Sequence, residues 1–528
     1  MRWWLALALF VAGCATIPEP LPIPERAASW RADVARLAAD DMAGRAAGSA
    51  GYHRAAHSVA ARFAALGLEP AGGDGFFQEV ALEERAVLHD RSSAALVATG
   101  RETPLRLPDD LYFRARGGPP PARVDAPLLF VGYGLHIPEA GHDDFAGLDL
   151  RGAIVVFISG GPERISGPVK SQARDQRARL LVERGAVGAI SITTAAQAEA
   201  PWSRAPAAAA LPGMYFADPA MQEPGPFLTI AFNPAQAERL FARSGHHYAE
   251  IAARADASQP VPVFALNQSL RAVIATRATA LTAPNIVARL RGRDRRLAAE
   301  HVILSAHLDG LGVGRPVQGD AIYNGALDNA AGVAALIDIA AQFRRQRVRP
   351  RRSILFVVMT GEEKGLLGSR YFARRPTVPR RSIVADLNYD MALPLFPLRS
   401  VTALGAEESS LGADAAAVGA ALGLPLAPDP FPNRNSFTRS DQYSFIEAGI
   451  PSLAFKFGFA PATPEADIER AWRATHYHAP SDDLSQPIMA EDEIRLHDFI
   501  AALALRVANA PHRPRWNDGS TFRRFARE

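Results

Sequence analysis

Val302-Ile303-Leu304-Ser305-Ala306 runs directly into His307-Leu308-Asp309, and further on Asp328-Asn329 opens the stretch Ala330 to Phe343. Reading these segments decides the fold. A near-continuous apolar run fits a strand buried on both faces. In the stretch that follows, Val333, Leu336, Ile337, Ala340 and Phe343 fall on one face at helical spacing. The pattern then repeats, with short apolar runs at Ile354 to Met359, Ile383 to Leu387 and Ser452 to Phe455 separated by helix-length segments. Strands alternating with helices from Asn285 onward predict an α/β fold with a mixed, largely parallel sheet flanked by helices. Sites in such sheets gather beyond the carboxyl ends of the strands.

The residues that fall there are acids and histidines. His307 and Asp309 follow one strand, Glu362-Glu363 the next, and Asp390 lies just past the third. Asp328 stands before the long helix, and His478 lies in a late loop, Thr475-His476-Tyr477-His478-Ala479-Pro480. Each is weak alone, because an acid at a helix start is usually a cap and a lone histidine is more often structural. Their convergence on one sheet edge is what carries weight. Oxygen and nitrogen donors without cysteine suit two hydrolytic metal ions, zinc first. The chain has one cysteine in 528 residues, which excludes an internal disulfide framework and a cysteine-rich zinc site.

Six phrases taken in order resemble the M28 family of zinc aminopeptidases. They are Ala306-His307-Leu308-Asp309, Gly319 to Asn329, Thr360-Gly361-Glu362-Glu363, Asn388-Tyr389-Asp390-Met391, Arg439 to Phe445, and Tyr477 to Asp482. The resemblance implies two Zn²⁺ ions with Asp328 bridging them, one completed by His307 and Asp390, the other by Glu363 and His478. It implies a metal-bridging water as nucleophile and Glu362 as the general base. Asp309 is expected to orient the His307 imidazole through its second nitrogen. Tyr477 is read either as a donor to the developing oxyanion or as a packing residue. Asp441 and Asp482 are expected in structural or supporting positions, and His476 at the surface. Gly310 stands where many relatives carry another histidine, which leaves the five ligands intact and touches only the pocket.

Working outward, residues 29–118 read as the amino-terminal part of the peptidase domain. Ser29 to about Leu82 is expected to be mostly helical, with Val59, Phe63 and Leu66 on one face and Gly67 at the end. Gly44, Gly48 and Gly51 sit in a loop, and Arg116 to Pro121 marks a boundary. Residues 119–262 change style, with strands expected at Leu128 to Tyr133, Ile154 to Ile158 and Val187 to Ile192 and a helix at Gln172 to Glu183. Val131-Gly132-Tyr133-Gly134, Asp143-Asp144-Phe145 and Glu183-Arg184-Gly185-Ala186 resemble the protease-associated domain inserted in some exported peptidases. The catalytic zinc peptidase domain is expected over 263–510 and a tail over 511–528.

The first residues carry an address. Met1-Arg2, an apolar run from Trp3 to Ala12, and Val11-Ala12-Gly13-Cys14 resemble a bacterial lipoprotein signal, residues 1–13, with Cys14 lipidated and 14–28 as a proline-rich tether. This implies export to the envelope of a Gram-negative-type bacterium and a membrane partner through the lipid. Ala15 points to the periplasmic face of the outer membrane. No later apolar stretch is expected to span a bilayer. Net charge is +3, too small to demand a nucleic-acid partner. Arg344 to Arg352 reads as a solvated helix–strand junction opposite the site or as a contact with an anionic membrane.

The expected activity is removal of N-terminal residues from peptides with a free N-terminus. Two competing classes share the fold. A glutaminyl cyclase generally uses one zinc and lacks the insert, and a non-catalytic binding ectodomain loses ligands that are all present here.

Overall fold

The computed structural model describes residues 21–114, 120–198, 201–205, 209, 212–222, 227–434 and 436–526. Cys14, the leader and most of the tether lie outside them, as do residues 116–119 of the expected boundary.

Two helices, α1 (Ile23–Leu37) and α2 (Ala50–Ala65), open the fold. Ser49 caps α2 by accepting from the Tyr52 N–H, and Tyr52, Val59 and Phe63 are buried. The helical expectation then fails, because Phe77–Val87 is a strand, β1. Its buried and exposed residues alternate from Phe77 to Leu82, and it pairs along Thr276–Leu290, β2, from Phe77↔Ile286 to Val87↔Thr276. The remaining main-sheet strands are β3 (His301–His307), β4 (Ser353–Met359), β5 (Ile383–Tyr389), β6 (Val401–Leu404) and β7 (Ser452–Phe457). The sheet order is Gly213–Phe216, β1, β2, β4, β3, β5, β7, β6, Leu426–Ala427. Its four central strands, β4-β3-β5-β7, are mutually parallel, and β3 and β4 are buried along their whole length.

A second, eight-stranded sheet lies between β1 and β2 in the chain. It takes Ser93–Ala98, Arg101–Leu105 and Leu111–Arg114 from before residue 119 and Val263–Val273 from beyond 262. The segment 119–262 is therefore the middle of a larger unit whose antiparallel outer strands come from both flanks. The expected strands and helix of that segment are present as Arg123–Val131, Ile154–Ile158, Gly188–Ile192 and α3 (Gly167–Glu183). The unit also returns one strand, Gly213–Phe216, to the edge of the main sheet through β1.

The helices α4 (Ala331–Arg345), α5 (Pro464–Thr475) and α6 (Ala490–Asn509) belong to the unit of the main sheet. The helical stretch 326–345 is long and apolar enough to cross a membrane, contrary to expectation, but 89% of its apolar window is buried inside the fold. It is the core helix of the main sheet, and the one acid within α4, Asp338, is held by Arg26 (2.7 Å) and His497 (2.9 Å). The segment 511–526 folds back, with Phe522 wholly buried against Phe437.

Candidate metal centre

Because β4, β3 and β5 are parallel, their carboxyl ends deliver His307, Glu362-Glu363 and Asp390 to the same edge. Asp328 joins them from the turn before α4, and His478 from the loop after α5. Two groups of three donors result: His307, Asp328 and Asp390, and Asp328, Glu363 and His478, each with its ligand atoms within 4.8 Å of one another. Asp328 divides its oxygens between them. Oδ1 lies 3.2 Å from His307 Nε2, and Oδ2 lies 3.4 Å from His478 Nε2. His307 Nε2 is 3.6 Å from Asp390 Oδ1, and His478 Nε2 is 3.2 Å from Glu363 Oε2.

These spacings fit a metal. Donors about 2.1 Å from a shared tetrahedral centre sit about 3.4 Å apart. His307 Nε2 and Asp390 Oδ1 are moreover buried without a hydrogen-bond partner, an arrangement that is costly unless a cation takes them up. The charge balance says the same. Burial works against both imidazolium forms, yet the surrounding carboxylates, led by Glu362 for His307 and Glu363 for His478, raise both pKa values well above the usual. Burial likewise opposes ionisation of Asp328, but His307 and His478 hold its carboxyl well below the usual range. The two imidazoles thus face an excess of buried acid.

Glu362 lies beside this cluster without belonging to either group. Burial pushes its pKa well above the usual, His307 opposes, and Glu363 and Asp390 add to the rise. Asp309 meets the second nitrogen of His307 as expected, but through its backbone. The His307 Nδ1 partner is the backbone carbonyl of Asp309 (3.1 Å), whereas its carboxylate oxygen is 3.8 Å away. That carboxylate accepts instead from the backbone N–H of Glu362 (3.0 Å) and of Glu363 (3.2 Å). Asp309 thus ties the end of β3 to the Glu-Glu turn after β4.

Asp482 does the same for the bridging residue. Its carboxylate accepts from the Leu327 and Asp328 N–H groups, both at 3.0 Å, and from Gln486 (2.8 Å), and burial raises its pKa to about 7. Asp441 is fully buried next to the start of a short helix, its pKa also raised by burial to about 7. The Tyr477 ring stacks on His478 with centroids 3.8 Å apart, and the Arg473 guanidinium lies over the Tyr477 ring, 4.9 Å from its centroid. His476 is turned to the Ser481 carbonyl (2.8 Å) and joins neither group. Gly310 does not line a pocket: a Cβ there would stand 2.8 Å from the Gly44 carbonyl, so the chain admits no side chain without moving backbone.

Three supporting residues escape sequence reading. Arg45, wholly buried, donates to the carbonyls of Leu37, Leu308, Asn324 and Gly325 at 2.7–2.9 Å, joining the loops that carry His307 and Asp328. Lys456 donates to the carbonyls of Asp390 (3.0 Å) and Met391 (3.1 Å). Arg204, from the second unit, donates to the carbonyls of Ala474, Thr475 and Tyr477 at 2.9–3.0 Å, at the end of α5 just before His478. The only available signals were an arginine after Gly44 in a glycine-bearing loop, a rare lysine at the end of β7, and nothing for Arg204.

The same part of the chain is similar to known proteins. Residues 285–504 match the model of peptidase family M28. The solved aminopeptidase from Aneurinibacillus sp. strain AM-1 superposes with a TM-score of 0.53 at 18% identity, covering 93% of this chain and 96% of that one, which is a likeness of fold. A probable zinc metalloprotease of Pyrenophora tritici-repentis is 38% identical over 74 residues, and one of Pyrenophora teres f. teres is equally similar over the same length. The match spans 14% of this chain and about a sixth of those relatives' length. The residues that match peptidase family M28, 285–504, hold both donor groups and Glu362.

Proposed function

We propose that the protein is a dinuclear zinc aminopeptidase that removes N-terminal residues from peptides in the cell envelope. The observation that carries this reading is Asp328, with one oxygen turned to His307 and the other to His478, so that two three-donor sites share one carboxylate. His307 and Asp390 would complete one site, Glu363 and His478 the other. When bound, the two ions supply Lewis acidity toward the scissile carbonyl and make the attacking water a stronger acid.

The remaining steps belong to the chain. Glu362 takes the proton of the attacking water and returns it to the leaving amine. Asp309 holds Glu362 and Glu363 in register through their backbone N–H groups, so base and ligand move as one piece. Tyr477, laid on His478, is read as a donor to the developing oxyanion. Uncompensated carboxylate beside the metals favours a substrate that brings its own ammonium, since a buried ammonium needs an acidic partner. Arg204, and the contact of Lys364 Nζ with the Pro212 carbonyl (3.0 Å), put these two residues of the second unit, which we read as a protease-associated domain, beside both ligand loops and support a limit on peptide length. The leader is read as a lipoprotein signal, with Cys14 lipidated and the protein held at the periplasmic face of the outer membrane.

The test is product analysis with paired peptides. A free α-amine should be required, and acetylating it should lower kcat/KM at least about 10-fold, with peptides shortening one residue at a time from the N-terminus. Equal cleavage of blocked peptides, or internal cuts as first products, would end the aminopeptidase reading.

A further inference from the structure

Two arginine-rich segments far apart in the chain meet at the amino-terminal edge of the main sheet, opposite the metal centre. β2 leaves the sheet where Leu290 faces Ile354 at the start of β4. The chain after it, Arg291-Gly292-Arg293-Asp294-Arg295-Arg296, lies along Arg344 to Arg352, which joins α4 to β4. Backbone bonds hold the two together: the Arg293 N–H donates to the Pro350 carbonyl (2.9 Å) and the Asp294 N–H to the Arg351 carbonyl (3.3 Å). Arg291, Arg295, Arg296, Arg344, Arg347 and Arg349 are exposed. The nearby acids are already engaged, Asp294 with Arg351 (2.9 Å) and Glu300 with Arg352 (2.6 Å) and Arg513 (2.8 Å). In a chain of net charge +3, residues 291–296 and 344–352 together hold ten arginines and one acid, Asp294.

The second observation is where the amino-terminal end of the fold lies. α1 runs antiparallel to both α4 and α6. Arg26 meets Asp338 and Asp498, whereas Trp30 Nε1 donates to the Ala331 carbonyl and Arg31 to the Ile488 carbonyl. Moving back along α1 therefore moves forward along α4, toward Arg344, and along α6, toward Asn509, whose Oδ1 accepts the Arg351 N–H (3.0 Å). At about 1.5 Å per residue, Asp338 to Arg344 is about 9 Å, and Arg26 back to Ile23 covers roughly half of it. The fold thus begins beside the arginine edge, with the tether and Cys14 still to come before it in the chain.

We propose that the edge formed by residues 291–296 and 344–351 docks on the anionic phospholipid headgroups of the leaflet that holds Cys14, turning the metal centre away from the bilayer. Its orientation rests on the lipid-anchor reading given above; the lipid-binding surface does not. Each arginine close to an anionic leaflet raises affinity about fivefold, an effect that salt screens within a Debye length.

The test uses the mature chain from residue 14 carrying Cys14→Ser, so that no lipid contributes. It is sedimented with vesicles of phosphatidylcholine alone or of phosphatidylcholine with phosphatidylglycerol. Binding is expected only with phosphatidylglycerol and should be reversed by salt. Hydrogen exchange should slow in segments 289–296 and 344–351. The triple variant Arg291→Gln, Arg295→Gln, Arg347→Gln should bind about 100-fold more weakly while cleaving peptides as before. Equal binding to both vesicles, undiminished binding by the triple variant, or protection confined to other segments would overturn the surface. A short DNA duplex that displaces the vesicles at equal charge would show the wrong partner class. Absence of lipid label on Cys14 in the unsubstituted protein would overturn the anchored orientation while leaving the vesicle result standing, so the two failures are distinguishable.

Discussion

The main sheet and the second sheet are built alike at their centres. The main sheet runs β4-β3-β5-β7 in parallel; the second runs Arg123–Val131, Ile154–Ile158, Gly188–Ile192 and Leu228–Phe232 in parallel. Both gather strand ends on one edge. At the second sheet those ends carry Tyr133, Ser159, Thr193, Thr194 and Asn233, and each polar group is satisfied locally. Tyr133 donates to the Gln259 carbonyl, Ser159 pairs with Thr193 (2.9 Å), Thr194 donates to Asp256, and Asn233 caps its own turn through the Ala235 N–H (3.0 Å). At the main sheet the ends carry acids and imidazoles that face one another, two of their atoms buried without a hydrogen-bond partner. A parallel sheet supplies an edge; whether that edge does chemistry depends on leaving groups there unsatisfied.

The sharpest way to break this contrast is to remove the shared ligand. Asp328→Ala should lose both metal ions by elemental analysis and with them all measurable hydrolysis, whereas His307→Ala and His478→Ala should each retain one. Full metal content in Asp328→Ala would refute the bridging arrangement. Glu362→Gln comes next. It should keep its metal and its fold and lose about 10²–10⁴-fold in kcat. Metal loss in that variant would make Glu362 a ligand.

Asp309→Asn tests the unexpected role of that residue. One oxygen can still accept, but the second backbone N–H is left facing an amide, and outer partners of ligands cost about 10–100-fold in metal affinity or activity. The loss should appear in kcat and in the affinity of the Glu363–His478 site, leaving the His307 tautomer unchanged by NMR. Arg204→Ala joins the two regions compared here and should weaken only the His478 site, by roughly 10-fold. At the second edge, Ser159→Ala with Thr194→Ala should leave kcat/KM within about twofold, as for ordinary substitutions away from a site. A larger loss would mean that the second edge takes part in catalysis.

Much of the site was legible because its signals are local. A strand such as Val302 to Ala306 declares itself by an apolar run, and its carboxyl end places His307 whatever else the chain does. Glu362-Glu363 and Asp390 follow from the same rule. Asp309 was placed beside the His307 imidazole by its spacing, but not by atom: its backbone carbonyl meets the ring nitrogen and frees the carboxylate for the turn after the neighbouring strand. The strand at Phe77–Val87 was missed because the charged run Glu83-Glu84-Arg85 interrupts its apolar alternation, and what holds it extended is its pairing with β2 and with Gly213–Phe216, both distant in the chain.

By itself the sequence determined the parallel centre of the main sheet, the edge on which acids and histidines collect, and the residues that collect there, since strand periodicity and strand ends are properties of short segments. The tertiary structure alone decided what spans long separations. It drew Ser93–Leu105 and Val263–Val273 into one sheet around the insert, put Arg45 under loops from two other elements, and brought Arg204 to the carbonyls before His478. It also laid residues 291–296 against 344–351 at the end where the fold begins. Those contacts are hydrogen bonds to backbone carbonyls, and any residue type supplies the acceptor, so no side-chain pattern in the sequence marks the partner.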